Sequence, residues 1–406
     1  MPISVDRIQA DIEAITRFTE SPGGADRPTF SAAWREARNY VIEQAKLAGC
    51  NVRIDAAGNV HARPEAVAWD APVWLSGSHL DSVPLGGNYD GVAGVVAPLE
   101  VLRAAHDDNI IAPRLELMIF AEEEGTTFDV GMLGSRAWVG ELSAQQLASV
   151  RNARGENYVE AGAACDVRPS LLIEDALNPR HYLGFVEVHI EQGPGLWNAD
   201  VPLAVVTGIA GRKQYRVTLR GVANHAGSTS MADRKDALTA AAVCILQLEG
   251  LANGLGESTV ITVGRIECRP NAINVIPAAV DFAIDFRSPS NDILSDGDPQ
   301  IRQRIAQVCE RRGIEHLIEQ TEDAPAVQMD PDLCAKLARA CADVADSTAT
   351  AVSGALHDAA ILAPHLPTAM LFVPSRDGIS HNPAEFSRVE DIALATSVLR
   401  ELVNET

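Results

Sequence analysis

The sequence predicts an α/β fold interrupted by an α+β domain, and three observations predict it. Over the first 200 residues, helix-like patterns alternate with short apolar runs that each end in a cluster of polar residues. From 212 to 321 the rhythm becomes β-α-β-β-α-β, the order of a ferredoxin-like unit, and after 321 the α/β style returns. At 406 residues the chain is also past the size at which a single core grows efficiently, so two domains are expected.

Taken along the chain, Trp34, Ala37, Val41, Ala45 and Ala48 mark one face of a helix that Gly49 is placed to end. VWLSG (73–77), RLELMIFA (114–121) and GFVEVHI (184–190) read as buried strands. The middle segment reads as strand QYRVTLRG, helix ADRKDALTAAAVCILQLEGLA, strands STVITVGRIEC and AAVDFAIDFRS, helix DPQIRQRIAQVCERRG and strand IEHLIEQ. A helix then starts at Pro331, a strand follows in PTAMLFVPS, and Ser387 with Glu390 suggests a capping box on the last helix. The expected organisation is a discontinuous domain of 1–211 and 322–406, with 212–321 inserted.

Composition narrows the partners. A formal charge of −22 repels a phosphate backbone, which argues against nucleic acid. An anionic substrate would need a local cation. The N-terminal stretch carries charge too early for a signal peptide, and no stretch approaches the roughly 20 apolar residues of a membrane span, so a cytoplasmic chain is expected. Seven scattered cysteines without a C-x-x-C pair suit small buried residues rather than disulfides or a thiolate metal site.

The chemistry gathers where apolar runs end. SGSHLDSVPLGGNYDGVAG (76–94) sets His79, Asp81 and Asp90 among glycines, with Asp81 close enough to orient His79. AEEEGTTF (121–128) crowds three acids, an arrangement that a metal ligand beside a general base would explain and that solvated loop carboxylates would also give. HIEQGPGL (189–196) and ISHNPAEF (379–386) add His189 and His381, each compatible alone with a structural histidine. Together, four clusters supplying His79, Asp90, Glu124, His189 and His381 form a nitrogen and oxygen donor set without thiolate, which suits two divalent ions in a hydrolytic site. His61, His106, His181, His316 and His365 lack such neighbours, and His357 in SGALHDA is ambiguous. In the middle segment, GVANHAGSTSM (221–231) places His225 in a Gly- and Ser-rich loop. VDFAIDFR (280–287) turns Asp281, Asp285 and Arg287 away from an apolar face. Arg287 is either a salt-bridging surface residue or the fork that binds a substrate carboxylate.

In order, GSHLDSVPLGGNYDGVAGV, EEEGTTF, HIEQGP, ANHAGSTSM, RPNAINVIP, DFR, SGALHDA and FVPSRDGISHNPAEF closely resemble the amidase and carbamoylase branch of the M20 metallopeptidase clan. That branch holds N-carbamoyl-L-amino-acid hydrolases, β-ureidopropionases and allantoate amidohydrolases. The resemblance runs from about Phe18 to Glu385. It implies a metal-dependent aminopeptidase-like catalytic domain with a ferredoxin-like lid that also forms a homodimer. It implies one ion on His79 and His189, another on Glu124 and His381, and Asp90 bridging; the ions would be zinc, or manganese, cobalt or nickel. Glu123 would be the general base and Asp81 the support of His79. Gln192, His225, Asn274 and Arg287 would contact a small substrate bearing a carboxylate, with His225 acting from the partner subunit. An N-carbamoyl-L-amino acid is the first substrate implied, with allantoate, a dipeptide or an N-acyl amino acid behind it; a non-catalytic binding protein on the same fold is the alternative outside enzymes. Three departures, Thr127 for an arginine, Ser230 for a proline and Leu356 for a glycine, spare every implied ligand and bear on the substrate.

Overall fold

The computed structural model describes residues 2–256 and 258–405. Its strands are β1 (Cys50–Ile54), β2 (Val60–Pro64), β3 (Val73–His79), β4 (Leu115–Phe120), β5 (Tyr182–Ile190), β6 (Leu203–Ile209), β7 (Gly211–Arg220), β8 (Val260–Arg269), β9 (Ala279–Ser288), β10 (Glu315–Ala324), β11 (Val327–Gln328), β12 (Thr348–Ser353) and β13 (Thr368–Val373). The chain divides into two compact units, 1–207 with 328–406, and 208–327. The second is wider than 212–321: β7 already pairs at Gly211, opposite Ser288, and β10 runs past 321 to Ala324, opposite Arg212.

The first unit is built on a sheet of order β1-β2-β4-β3-β5-β13-β6-β11, with β12 beside β6. Its centre, β4-β3-β5-β13, is parallel. Those four strands are buried along their length apart from one position in β5, which is why their sequences read as continuous apolar runs rather than alternating ones. Helix Ala32–Leu47 buries the face containing Trp34, Ala37, Val41 and Ala45, and Gly49 follows it at φ +75°, a left-handed value that glycine adopts without strain. Helix Val92–Asp107 is buried on nearly all sides. The last helix, Val389–Asn404, departs from the expected cap: Arg388 occupies the N-cap position with no side-chain cap, and the buried Ser387 hydroxyl has no hydrogen-bond partner among the described residues.

The second unit is a four-stranded antiparallel sheet of order β10-β7-β9-β8, the ferredoxin-like arrangement. Strict alternation along β9 buries Val280, Phe282, Ile284 and Phe286 under helices Ala237–Leu255 and Asn291–Arg312. Truncating either phenylalanine to alanine is expected to cost about 3–5 kcal/mol. Helix Ala237–Leu255 corrects one sequence expectation, since it is long and apolar enough to cross a membrane by length and composition. In the structure it lays Ala240, Ala241, Cys244, Leu248 and Leu251 onto this sheet's core.

Candidate metal centre

Parallel strands leave a crevice beyond their carboxyl ends, and four of them end together here. His79 is the last residue of β3, Glu122, Glu123 and Glu124 follow β4, His189 is the penultimate residue of β5, and His381 lies on the loop after β13. Asp90 arrives on the loop before helix Val92–Asp107. Gly91 at φ +67° makes that approach possible, because a Cβ there would lie 2.6 Å from the His79 ring.

Asp90 joins two groups of donor atoms, each group lying within 4.8 Å: His79, Asp90 and His189 in one, Asp90, Glu124 and His381 in the other. Its Oδ1 is 3.6 Å from His79 Nε2 and 3.2 Å from His189 Nε2. Its Oδ2 is 3.2 Å from His381 Nε2, which is 3.6 Å from Glu124 Oε2. Glu123 Oε2 stands 3.6 Å from His79 Nε2. The five residues singled out as ligands, with Glu123, are therefore brought to one place.

The tautomers fit a cation. His79 Nδ1 donates to the carbonyl of Asp81 at 2.9 Å and His189 Nδ1 to that of Ile190 at 3.0 Å. Carbonyls only accept, so Nδ1 carries a proton in each ring and Nε2 is the atom turned to the centre, where a cation would take the place of a second proton; the buried His189 Nε2 has no hydrogen-bond partner among the described residues. Asp81 was expected to orient His79, and its backbone carbonyl is the atom that meets the ring; its carboxylate oxygen is 3.9 Å away and Oδ2 accepts the Glu124 backbone N–H at 3.1 Å.

Charge points the same way. Burial, then the neighbouring negative charges of Glu124, Asp358 and Asp81, hold the Glu123 carboxyl well above its usual range despite His79. Burial and then Asp90 push Glu124 up to about 7. Asp90 is opposed by burial too, but three histidines outweigh it and keep it well below the usual carboxylate range. Carboxyl groups as reluctant to ionise as Glu123 and Glu124 are what a bound cation relieves.

A third group, Glu187, His189 and His357, is equally close but already spent. Glu187 accepts from Ser78 Oγ at 2.8 Å and Ala359 N at 3.0 Å, and His357 Nε2 lies 2.8 Å from Ser353 Oγ. Burial, followed by His189, holds His357 well below the ordinary imidazole value. Period-two spacing in VEVH was the signal for Glu187, two residues from His189 on one face of β5.

Gln192, expected on the substrate, hydrogen-bonds the centre itself: its Nε2 donates to Asp90 Oδ2 at 2.8 Å. The other substrate residues belong to the second unit. Its loops 221–231 and 270–278 meet through a bridge of His225 with Val275, and Ala226 N donates to Asn274 O at 3.0 Å, so His225 and Asn274 are neighbours. His225 Nδ1 accepts from Gly227 N at 3.0 Å and Ser228 N at 3.2 Å, which leaves its proton on Nε2. Arg287 is gripped by Asp285, Nε to Oδ1 at 2.7 Å and Nη2 to Oδ2 at 3.2 Å.

Known proteins resemble this chain over nearly its whole length. The chain is 38% identical over 387 residues to an N-carbamoyl-L-amino acid amidohydrolase of Geobacillus stearothermophilus, covering 94% of this chain and 93% of the relative. It is 34% identical over 397 residues to an allantoate amidohydrolase of Escherichia coli (strain K12), covering 97% and 95%. The crystal structure of an amidase of the hydantoinase/carbamoylase family from Burkholderia multivorans superposes with a TM-score of 0.93 at 32% identity, covering 99% and 97%. Residues 75–405 match the sequence profile of peptidase family M20/M25/M40, a metal-dependent family, and the chain belongs to it.

Proposed function

We propose that the chain hydrolyses the linear amide of an N-carbamoyl-L-amino acid to the amino acid, ammonia and carbon dioxide. The observation that carries this reading is Asp90, shared between two donor groups with Glu123 beside it. Similarity to the Geobacillus amidohydrolase over nearly its whole length supports the substrate. Two ions, zinc or else manganese, cobalt or nickel, fit the donor set, one on His79 and His189 and one on Glu124 and His381. When bound, such ions lower the pKa of water and polarise a carbonyl.

The chain's own groups do the rest. Glu123, whose proton affinity is raised, takes a proton from the attacking water and returns it to the leaving nitrogen as the C–N bond breaks. The carbamate that leaves breaks down to ammonia and carbon dioxide. The Nε2 proton of His225 and the amide of Asn274 are suited to a developing oxyanion, and Arg287, held in its fork by Asp285, to the substrate carboxylate. We assign the second unit to dimerisation as well: β8 is a sheet edge with Val260 50% and Ile266 48% exposed, beside a helix exposing Leu246.

The test is a side-by-side assay of N-carbamoyl amino acids, allantoate, dipeptides and N-acyl amino acids on metal-loaded and chelator-stripped protein. Turnover of carbamoyl amino acids above the others, lost on chelation, is expected. Preference for allantoate, which the similarity to the Escherichia coli relative favours as second reading, would replace the substrate; full activity of stripped protein would end the metal assignment.

A further inference from the structure

Glu385 belongs to the last motif, but nothing in its own sequence neighbourhood explains its burial. It is 4% exposed and its carboxylate is fully engaged. Oε1 accepts the backbone N–H groups of Tyr89 at 2.9 Å and Asp90 at 3.1 Å, and Oε2 accepts the Ser380 hydroxyl at 2.8 Å. Gly87 leaves room for it, since a Cβ at that position would fall 2.1 Å from the carboxyl group. One side chain thus joins the loop that delivers Asp90 to the loop that delivers His381.

The connection continues through hydrogen-bond polarity. Because Ser380 gives its proton to Glu385, its oxygen is free to accept from Gln192 Nε2 at 3.2 Å, and the same amide nitrogen donates to Asp90 Oδ2 at 2.8 Å. Glu385 therefore reaches Asp90 twice, at its backbone and, through Ser380 and Gln192, at the oxygen facing His381. His381 needs such help. Its backbone is left-handed at φ +54°, close to Asp377 at φ +58°, and its side chain is 50% exposed, so packing alone does not hold it. His79 and His189 need none, because β3 and β5 carry them and backbone carbonyls fix their rings.

We propose that Glu385 is the positioning residue for the Glu124–His381 half of the centre, acting on Asp90 and His381 through two loops and leaving the His79–His189 half to the sheet. The proposal rests on the two-ion reading above. It explains how a ligand 291 residues after Asp90 in sequence keeps its register with it.

The experiment is a calorimetric titration of the metal-stripped chain with cobalt(II), followed also by the cobalt absorption bands, for wild type, Glu385→Gln, Ser380→Ala and His381→Ala. The step that His381→Ala abolishes marks the Glu124–His381 site. Glu385→Gln and Ser380→Ala are expected to weaken that step about 10- to 100-fold and to leave the other within about threefold. Ser380→Ala removes one hydroxyl only, so it carries the test by itself should Glu385→Gln fail to give a wild-type circular dichroism spectrum. Wild-type binding of both ions by the variants, or equal weakening of both steps, overturns the clamp and spares the two-ion reading. Binding of fewer than two ions by the wild type overturns both.

Discussion

Asp81 holds Glu124 with its carboxylate and His79 with its carbonyl. The first contact is Oδ2 to the Glu124 N–H at 3.1 Å and the second is the carbonyl oxygen to His79 Nδ1 at 2.9 Å. A side-chain substitution therefore spares the histidine and strikes the acid. Asp81→Ala, which orphans a largely buried N–H, should lower metal affinity about 10- to 100-fold. Asp81→Asn still offers an oxygen and should recover most of it. Metal titration decides this, and alanine and asparagine variants of equal affinity would contradict it.

Glu123 contributes to the centre from a different angle. It faces His79 Nε2 at 3.6 Å, but neither of the two donor groups that meet at Asp90 includes it. Glu123→Gln should keep the bound metal and lower turnover by about 100-fold or more, the usual worth of a general acid–base group. Metal analysis and steady-state kinetics on one preparation check it, and unchanged turnover would remove Glu123 from the proton path.

What could be read in the sequence was whatever a local pattern encodes. Strands β3, β4, β5 and β13 announced themselves as apolar runs, and the acids and histidines at their ends followed from them. The order of the second unit was equally local, since alternation along β9 names its buried face residue by residue. The missed contacts span the chain. Gln192 meets Asp90 across 102 positions and Glu385 meets it across 295, and no window of sequence contains either pair. Ser387 failed for a related reason: the capping-box spelling is present, but the buried hydroxyl makes no hydrogen bond to the helix it was expected to cap.

His61 looked ordinary and is not. Its Nδ1 lies 2.8 Å from Glu116 and its Nε2 3.2 Å from Asp55, all three buried, in a network that Arg63 completes from β2 to β4. Burial pulls its pKa down, yet the hydrogen bonds with Asp55 and Glu116 outweigh burial and leave it above the ordinary imidazole value. A raised folded-state value means the stabilisation is full below the unfolded imidazole value and is lost as pH rises through the folded one. His61→Gln should thus destabilise by about 3–5 kcal/mol near pH 6, where a buried pair is broken, and by less near pH 9. Thermal melts at the two pH values measure it, and a penalty that grows with pH would reverse the sign.

Arg287 separates binding from chemistry. The register of β7 and β9 sets Arg212 opposite Arg287, and Asp285 takes both the Nε and an Nη of Arg287, so the guanidinium plane is fixed before any substrate arrives. Lysine has the charge but neither the plane nor the fork. Arg287→Lys should therefore raise KM for a carboxylate-bearing substrate about 10-fold or more while kcat moves less, the pattern of lost uniform binding. Asp285→Asn keeps the arginine and removes the charge that orients it, so a smaller shift in the same direction is expected. Removing the substrate's carboxylate supplies the control: the wild type should lose more affinity on going from the acid to the neutral amide than Arg287→Lys does, because lysine keeps the charge but not the fork. If the variant still prefers the acid as strongly as the wild type does, the carboxylate is bound elsewhere and Arg287 is the surface ion pair that its contact with Asp285 would otherwise suggest.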